Sequence, residues 1–199
     1  MEQKISKEEF DEFMKIKGNV RGMSLKNIAA FVLKERGEKG LRELEDTITN
    51  FGYPLKYRQI KTMAFYPIGL DPFMMVVAKK ILNFNEEDFK KLGEFSAKSA
   101  IIVRLFMKYL LSVRKVADNV TEMWKKYYTV GNIKTVELNE EKKYMILRVT
   151  DFNLHSAHCQ VLEGYFPTVI QLIVKKKVHC KETKCFFRGD NYHEYLLKW

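Results

Sequence analysis

At Gly131 the chain changes its hydrophobic period, and that one switch limits what it can fold into. Before it, apolar residues recur every three to four positions, which lines them along one face of a helix. After it they alternate, which lines them along one face of a strand. Lys134 to Leu138 and Lys142 to Thr150 carry the alternation and the β-branched content, joined by the polar turn Asn139, Glu140, Glu141; the pattern predicts a hairpin. Helical spacing returns from Cys159 to Val174, through Val161, Leu162, Tyr165, Val169, Ile170 and Ile173. Two last strands, Val178 to Phe187 and Tyr192 to Lys198, flank the turn residues Arg188 to Asn191. Helices followed by ββαββ predict an α+β fold, an antiparallel sheet covered by helices.

The helical half divides at its punctuation. Ser6 followed by Glu9 has capping-box spacing ahead of Phe10, Phe13 and Met14, so a helix is expected from Lys7 to near Gly18. Ser24 is the expected cap of a second, carried by Leu25, Ile28, Ala29, Val32 and Leu33 as far as Gly37. A third, with Leu41, Leu44 and Ile48 on one face, runs from Glu38 to Asn50, giving a short antiparallel pair. Leu55, Ile60, Met63 and Ala64 suggest a further helix, and Phe73 to Leu82 another. Asn85 with Asp88 is a cap for Glu86 to Gly93. From Ser96 to Tyr127 the stripe Ile102, Leu105, Phe106, Tyr109, Leu110, Val113, Val116, Val120, Trp124 reads as one long amphipathic helix, or two with a bend. Residues 1–95 are therefore read as a helical part packed on the same core as 96–199.

Charge and cysteine usage narrow the partners. The net charge of +10 comes from 35 Lys and Arg against 25 Asp and Glu, but the lysines are interleaved with glutamates along almost every segment. That is the pattern of a solvated surface. The one dense basic run is Lys175 to Lys177, and no helix-turn-helix or aromatic-basic strand accompanies it, so nucleic acid is not expected as a partner. No window reaches the roughly 18 uncharged residues of a bilayer span, and the N-terminus lacks the apolar core of a secretion signal. Three cysteines are odd in number and read as reduced thiols of a cytoplasmic protein. No nucleophile with its base, phosphate-cradling glycine loop or dinucleotide fingerprint is present, so an enzyme is not expected.

All three cysteines and all four histidines lie between His155 and His193. Cys159 opens a predicted helix, Glu182 and Cys185 lie near the end of a strand, and His193 sits across the next turn. If Arg188, Gly189 and Asp190 form a three-residue loop, positions 185 and 193 face each other across the hairpin. Two thiolates, an imidazole and a carboxylate are a donor set that Zn²⁺ accepts. The alternative is that the cysteines are small core hydrophobes. Glu182 and Cys185, three apart, would point to opposite faces of a regular strand. Either a bulge or strand end intervenes, or Cys180, on the same face as Glu182, replaces one of them.

These residues resemble a family. Lys181-Glu182-Thr183-Lys184-Cys185, then Gly189-Asp190 and a ligand-type residue at 193, are similar to the closing motif of 4-vinyl-reductase-type small-molecule-binding domains, including the aromatic-effector sensor domains of bacterial enhancer-binding activators. Cys159 followed by Leu162, Gly164 and Tyr165 resembles the upstream part. The resemblance covers Ser96 to Trp199 and implies a structural zinc held by Cys159, Glu182, Cys185 and His193, the last standing where the family has cysteine. It also implies the wider fold of trafficking-complex subunits and haem nitric-oxide sensors, a sheet and helices around a hydrophobic cavity. The Tyr-x-Ser-x-Arg signature of the haem branch is absent.

Phe106, Tyr109, Trp124, Tyr144, Tyr165 and Phe166 are the candidates to line such a cavity, though each also fits ordinary core packing. The resulting expectation is a small-molecule sensor domain for a hydrophobic or aromatic ligand, with zinc as cofactor, a homodimer that acts through a partner protein. The alternative is a scaffolding module of the trafficking-subunit type, with a closed cavity and a dimer interface.

Overall fold

The computed structural model describes residues 5–99 and 112–199. The chain divides into two compact units, one running to Asp88 and including Tyr127–Thr129, the other formed by Phe89–Lys126 and Val130–Trp199.

In the first unit, α1 (Lys7–Lys15) begins where the capping box places it, with the Ser6 hydroxyl accepting from Glu9 N at 3.1 Å. Helix α2 (Gly22–Asn50) starts differently. Ser24 does not cap it; the N–H groups of Gly22 and Met23 donate to the carbonyls of Ala64 and Thr62 at 2.8 and 2.9 Å. Only glycine admits that approach, since a Cβ at Gly22 would lie 2.3 Å from the Lys61 carbonyl oxygen. At Gly37 (φ 67°, ψ −170°) the helical dihedrals break, so this run is two helices that meet at a kink, divided where the sequence places the boundary.

The helix predicted from Leu55 to Ala64 does not form. A 3₁₀ turn at Tyr57–Gln59 is all that remains, because the backbone here serves other elements. Besides the carbonyls given to α2, Lys61 N donates to the Tyr66 hydroxyl at 3.0 Å and Tyr57 N to Glu45 Oε1 at 2.8 Å. Sequence periodicity also misses a two-stranded ribbon, β1 (Asn19–Arg21) paired antiparallel with β2 (Phe65–Pro67). Helix α3 (Leu70–Lys80) is buried all round from Leu70 to Ala78, as a central helix must be to satisfy apolar residues on every face. Phe10, Phe51 and Phe73 pack with ring centroids 4.7 to 5.4 Å apart. Asn85 and Asp88 cap α4 (Glu86–Ser99) reciprocally, at 2.9 and 3.0 Å.

In the second unit, α5 (Val113–Lys125) opens at Ser112, whose backbone is extended and whose hydroxyl accepts from Lys115 N. The stripe from Ser96 to Tyr127 is therefore not one unbroken helix. The strands are β3 (Asn132–Asn139), β4 (Tyr144–Thr150), β5 (His179–Lys184) and β6 (His193–Lys198), and α6 (Ala157–Val174) joins β4 to β5. They form one antiparallel sheet in the order β3-β4-β6-β5. This is the ββαββ arrangement that the alternation predicts. Met145, Leu147 and Val149 of β4 and His193, Tyr195 and Leu197 of β6 alternate onto the buried face. Helices α4 and α6 touch backbone to backbone: a Cβ at Gly93 would lie 1.9 Å from the Val161 carbonyl oxygen, and one at Gly164 2.0 Å from that of Lys90.

Candidate functional site

Local backbone irregularities bring the four singled-out donors together. Cys159 lies in the first turn of α6, its N–H on the Ser156 carbonyl at 3.0 Å. In the β5–β6 ladder Glu182 pairs with Tyr195 and Lys184 with Glu194, so Thr183 is one residue too many. That bulge resets the pleat, and it removes the objection that residues three apart must face opposite ways. Cys185 follows the end of β5. The expected three-residue loop is instead a longer turn, a 3₁₀ segment at Phe186–Arg188 closed by Gly189 at φ 95°. The Cys185 carbonyl accepts from Arg188 N at 2.9 Å and Asp190 N at 3.2 Å, while its N–H donates to Asp190 Oδ2 at 2.8 Å. His193 is the first residue of β6.

One ligating atom from each of Cys159, Glu182, Cys185 and His193 lies within 4.8 Å of all the others. The sulfurs are 3.6 Å apart, Cys159 Sγ is 3.8 Å from His193 Nδ1, and His193 Nδ1 is 3.0 Å from Glu182 Oε1. Both cysteines and the histidine are buried, and the Glu182 side chain is only 6% exposed. Burial, reinforced by the Glu182 carboxylate and the neighbouring thiol, holds the Cys159 thiol well above the usual range. Burial also acts to raise Glu182, but the His193 hydrogen bond and the Arg188 guanidinium outweigh it and keep this carboxyl below its ordinary value. A carboxylate, two thiols and an imidazole facing one point are a soft, partly anionic donor set, the kind that takes a thiophilic cation. A cation bound here would displace the Cys159 thiol proton that burial otherwise retains.

Cys180 is not among the four; its half-buried thiol lies near Glu163 and is pushed up by burial. His179 is exposed, and His158 is buried with Nδ1 3.2 Å from the His155 carbonyl. Sequence reasoning misses Arg188, whose guanidinium is 3.0 Å from Glu182 Oε2, and Glu163, whose Oε1 accepts from Glu182 N at 3.0 Å. Arg188 carries only a weak signal, its place in the predicted turn. Glu163, on α6, carries none.

Of the six cavity candidates, four lie among the described residues. Phe106 and Tyr109 lie outside the described residues. Trp124 is buried edge-on to Phe152 at 4.8 Å and donates to the Val130 carbonyl at 2.9 Å. Phe166 packs on Tyr195 at 5.2 Å, with Tyr165 beside it at 6.2 Å. Tyr144 lies on the face of β4 opposite Met145, Leu147 and Val149, its hydroxyl bonded to Glu137.

No protein-family model and no curated protein matches the chain. Solved structures do. An H-NOX protein from Shewanella oneidensis in the Fe(II)NO ligation state matches with a TM-score of 0.61 at 15% identity, over 89% of this chain and 98% of that one. The Fe(II) unliganded H-NOX protein from K. algicida matches with a TM-score of 0.65 at 9% identity, over 89% and 95%. The chain has the H-NOX fold. The likeness of fold that the vinyl-reductase resemblance implies is thus found with H-NOX proteins, while that narrower label finds no match. A trafficking protein particle complex subunit 3 from Naegleria fowleri matches at a TM-score of 0.43, 14% identity, over 62% and 88%, too weakly to support the scaffolding alternative.

The comparison corrects the expectation of zinc as the cofactor. H-NOX structures are described by iron(II) ligation states, and another match concerns haem redox potential and porphyrin distortion; none of these is described by zinc. The four-donor cluster has the geometry of a single-ion site rather than of a haem site, since its ligating atoms all lie within 4.8 Å of one another. Among the described residues, no helix is long and apolar enough to cross a membrane.

Proposed function

We propose that the chain is a sensor-type domain that binds a small hydrophobic or aromatic molecule and passes the signal to a partner protein, working as a homodimer. The observation that carries this reading is the fold, matched over 89% of the chain by proteins described through the ligand states of their iron. Phe106, Tyr109, Trp124, Tyr144, Tyr165 and Phe166 remain the proposed ligand contacts. The Cys159, Glu182, Cys185 and His193 cluster is proposed as a metal-ion site that pins the first turn of α6 to the β5–β6 hairpin. With four protein donors it has no open position at which to activate water, so its contribution is to stability and shape.

The test is to purify the chain and analyse it by native mass spectrometry, visible absorption and elemental analysis, with light scattering for oligomeric state. A co-purified apolar molecule, or saturable binding of a hydrophobic fluorescent probe, supports the reading. A porphyrin spectrum identifies haem as the ligand. A chain that neither carries nor takes up any apolar molecule refutes it.

A further inference from the structure

The donor cluster is held at one side by a residue outside it. Arg188 Nη2 lies 3.0 Å from Glu182 Oε2, while the other carboxylate oxygen, Oε1, lies 3.0 Å from His193 Nδ1. The two oxygens are thereby assigned different tasks: one meets a guanidinium that is 58% exposed, the other turns inward with the sulfurs and the imidazole. The main chain of Arg188 is tied to the cluster as well, since its N–H donates to the carbonyl of Cys185 at 2.9 Å. One turn thus touches two of the four donors, Cys185 through its backbone and Glu182 through its side chain. Charge points the same way. Two thiolates, a carboxylate and a neutral imidazole around a divalent ion leave one negative charge in excess, away from water, and the guanidinium offsets it.

We infer that Arg188 is the positioning residue of this centre, holding Glu182 so that it offers the ion one oxygen rather than two. The inference rests on the metal-site reading above. A ligating carboxylate needs its own hydrogen-bond partner to fix its orientation, and loss of such a partner typically weakens metal affinity roughly 10- to 100-fold. An ordinary surface ion pair would do nothing of the kind. Lys184, in the same hairpin, supplies the contrast: its ammonium pairs with Asp190 at 3.6 Å, whereas the cation on Glu182 is Arg188.

The experiment is a Co²⁺ titration of the full chain, following the visible ligand-field and sulfur-to-cobalt bands and measuring affinity against a competing chelator. Wild type, Arg188→Gln, Arg188→Lys and Lys184→Gln are compared, with thermal unfolding of each metal-free protein. The expected result is one Co²⁺ per wild-type chain, binding about 10- to 100-fold weaker with displaced ligand-field bands in Arg188→Gln, and partial recovery in Arg188→Lys. Lys184→Gln should match wild type, and the metal-free proteins should unfold at closely similar temperatures. An Arg188→Gln protein with wild-type affinity and spectrum overturns the inference while leaving the metal site standing, as does an equal loss in Lys184→Gln. Failure of wild type to bind Co²⁺ overturns the metal-site reading and the inference with it.

Discussion

Gly164→Ala tests how the second unit is built, because the added methyl group has nowhere to go. Its carbon would sit 2.0 Å from the Lys90 carbonyl oxygen, 2.9 Å from the carbonyl carbon and 3.2 Å from Glu94 N, all backbone atoms of α4. A relaxed carbon-to-oxygen contact is roughly 3.3 to 3.6 Å, so α4 and α6 would have to separate by more than an ångström. No flexible side chain can swing aside to spare them. Overpacking of this kind costs about 1–3 kcal/mol, against a gain of up to about 1 kcal/mol from replacing a helical glycine with alanine. Because every clashing atom is backbone, the cost falls in the upper part of that range, about 2–3 kcal/mol, and we expect a net loss of about 1–2 kcal/mol, or roughly 2–8 °C in Tm for a chain of this size. Urea denaturation monitored by circular dichroism measures it. Gly93→Ala intrudes on the same contact from the other side, 1.9 Å from the Val161 carbonyl oxygen, so the double variant should lose less than the sum of the singles. A Gly164→Ala protein as stable as wild type, or strictly additive losses, would refute the close helix crossing.

Cys185→Ala should abolish stoichiometric metal uptake, read by elemental analysis, without unfolding the first unit. Phe73→Ala removes the ring that packs on both Phe10 and Phe51; a loss of about 3–5 kcal/mol is expected, measured by chemical denaturation. Ser6→Ala deletes the hydroxyl that accepts from Glu9 N and should cost about 1 kcal/mol, seen as faster amide exchange in the first turn of α1.

Where pattern and chemistry act locally, the sequence was a sufficient guide. The capping boxes at Ser6 and Asn85 and the ββαββ order appear where the residues place them, because each depends on neighbours a few positions apart. The stretch from Leu55 to Ala64 went the other way: its apolar spacing suits a helix, yet its carbonyls are taken by the start of α2, a partner about forty residues earlier. Strands β1 and β2, three residues each, are too short to show a period. At the cluster, the residue types and the need for a bulge or strand end were legible, since the pleat forbids Glu182 and Cys185 a common face without one. The length of the turn and the part of Arg188 in it were not. Those depend on Gly189 adopting a left-handed conformation and on Asp190 folding back onto Cys185.

The Thr183 hydroxyl is bonded to Glu194 and Thr183 is no member of the quartet, yet its presence as a supernumerary link in β5 is what sends the Cys185 sulfur inward. Anyone grafting this quartet onto another ribbon would have to carry the spare residue along with the chemically obvious ones. Excising it would leave every donor in the chain and aim one of them outward.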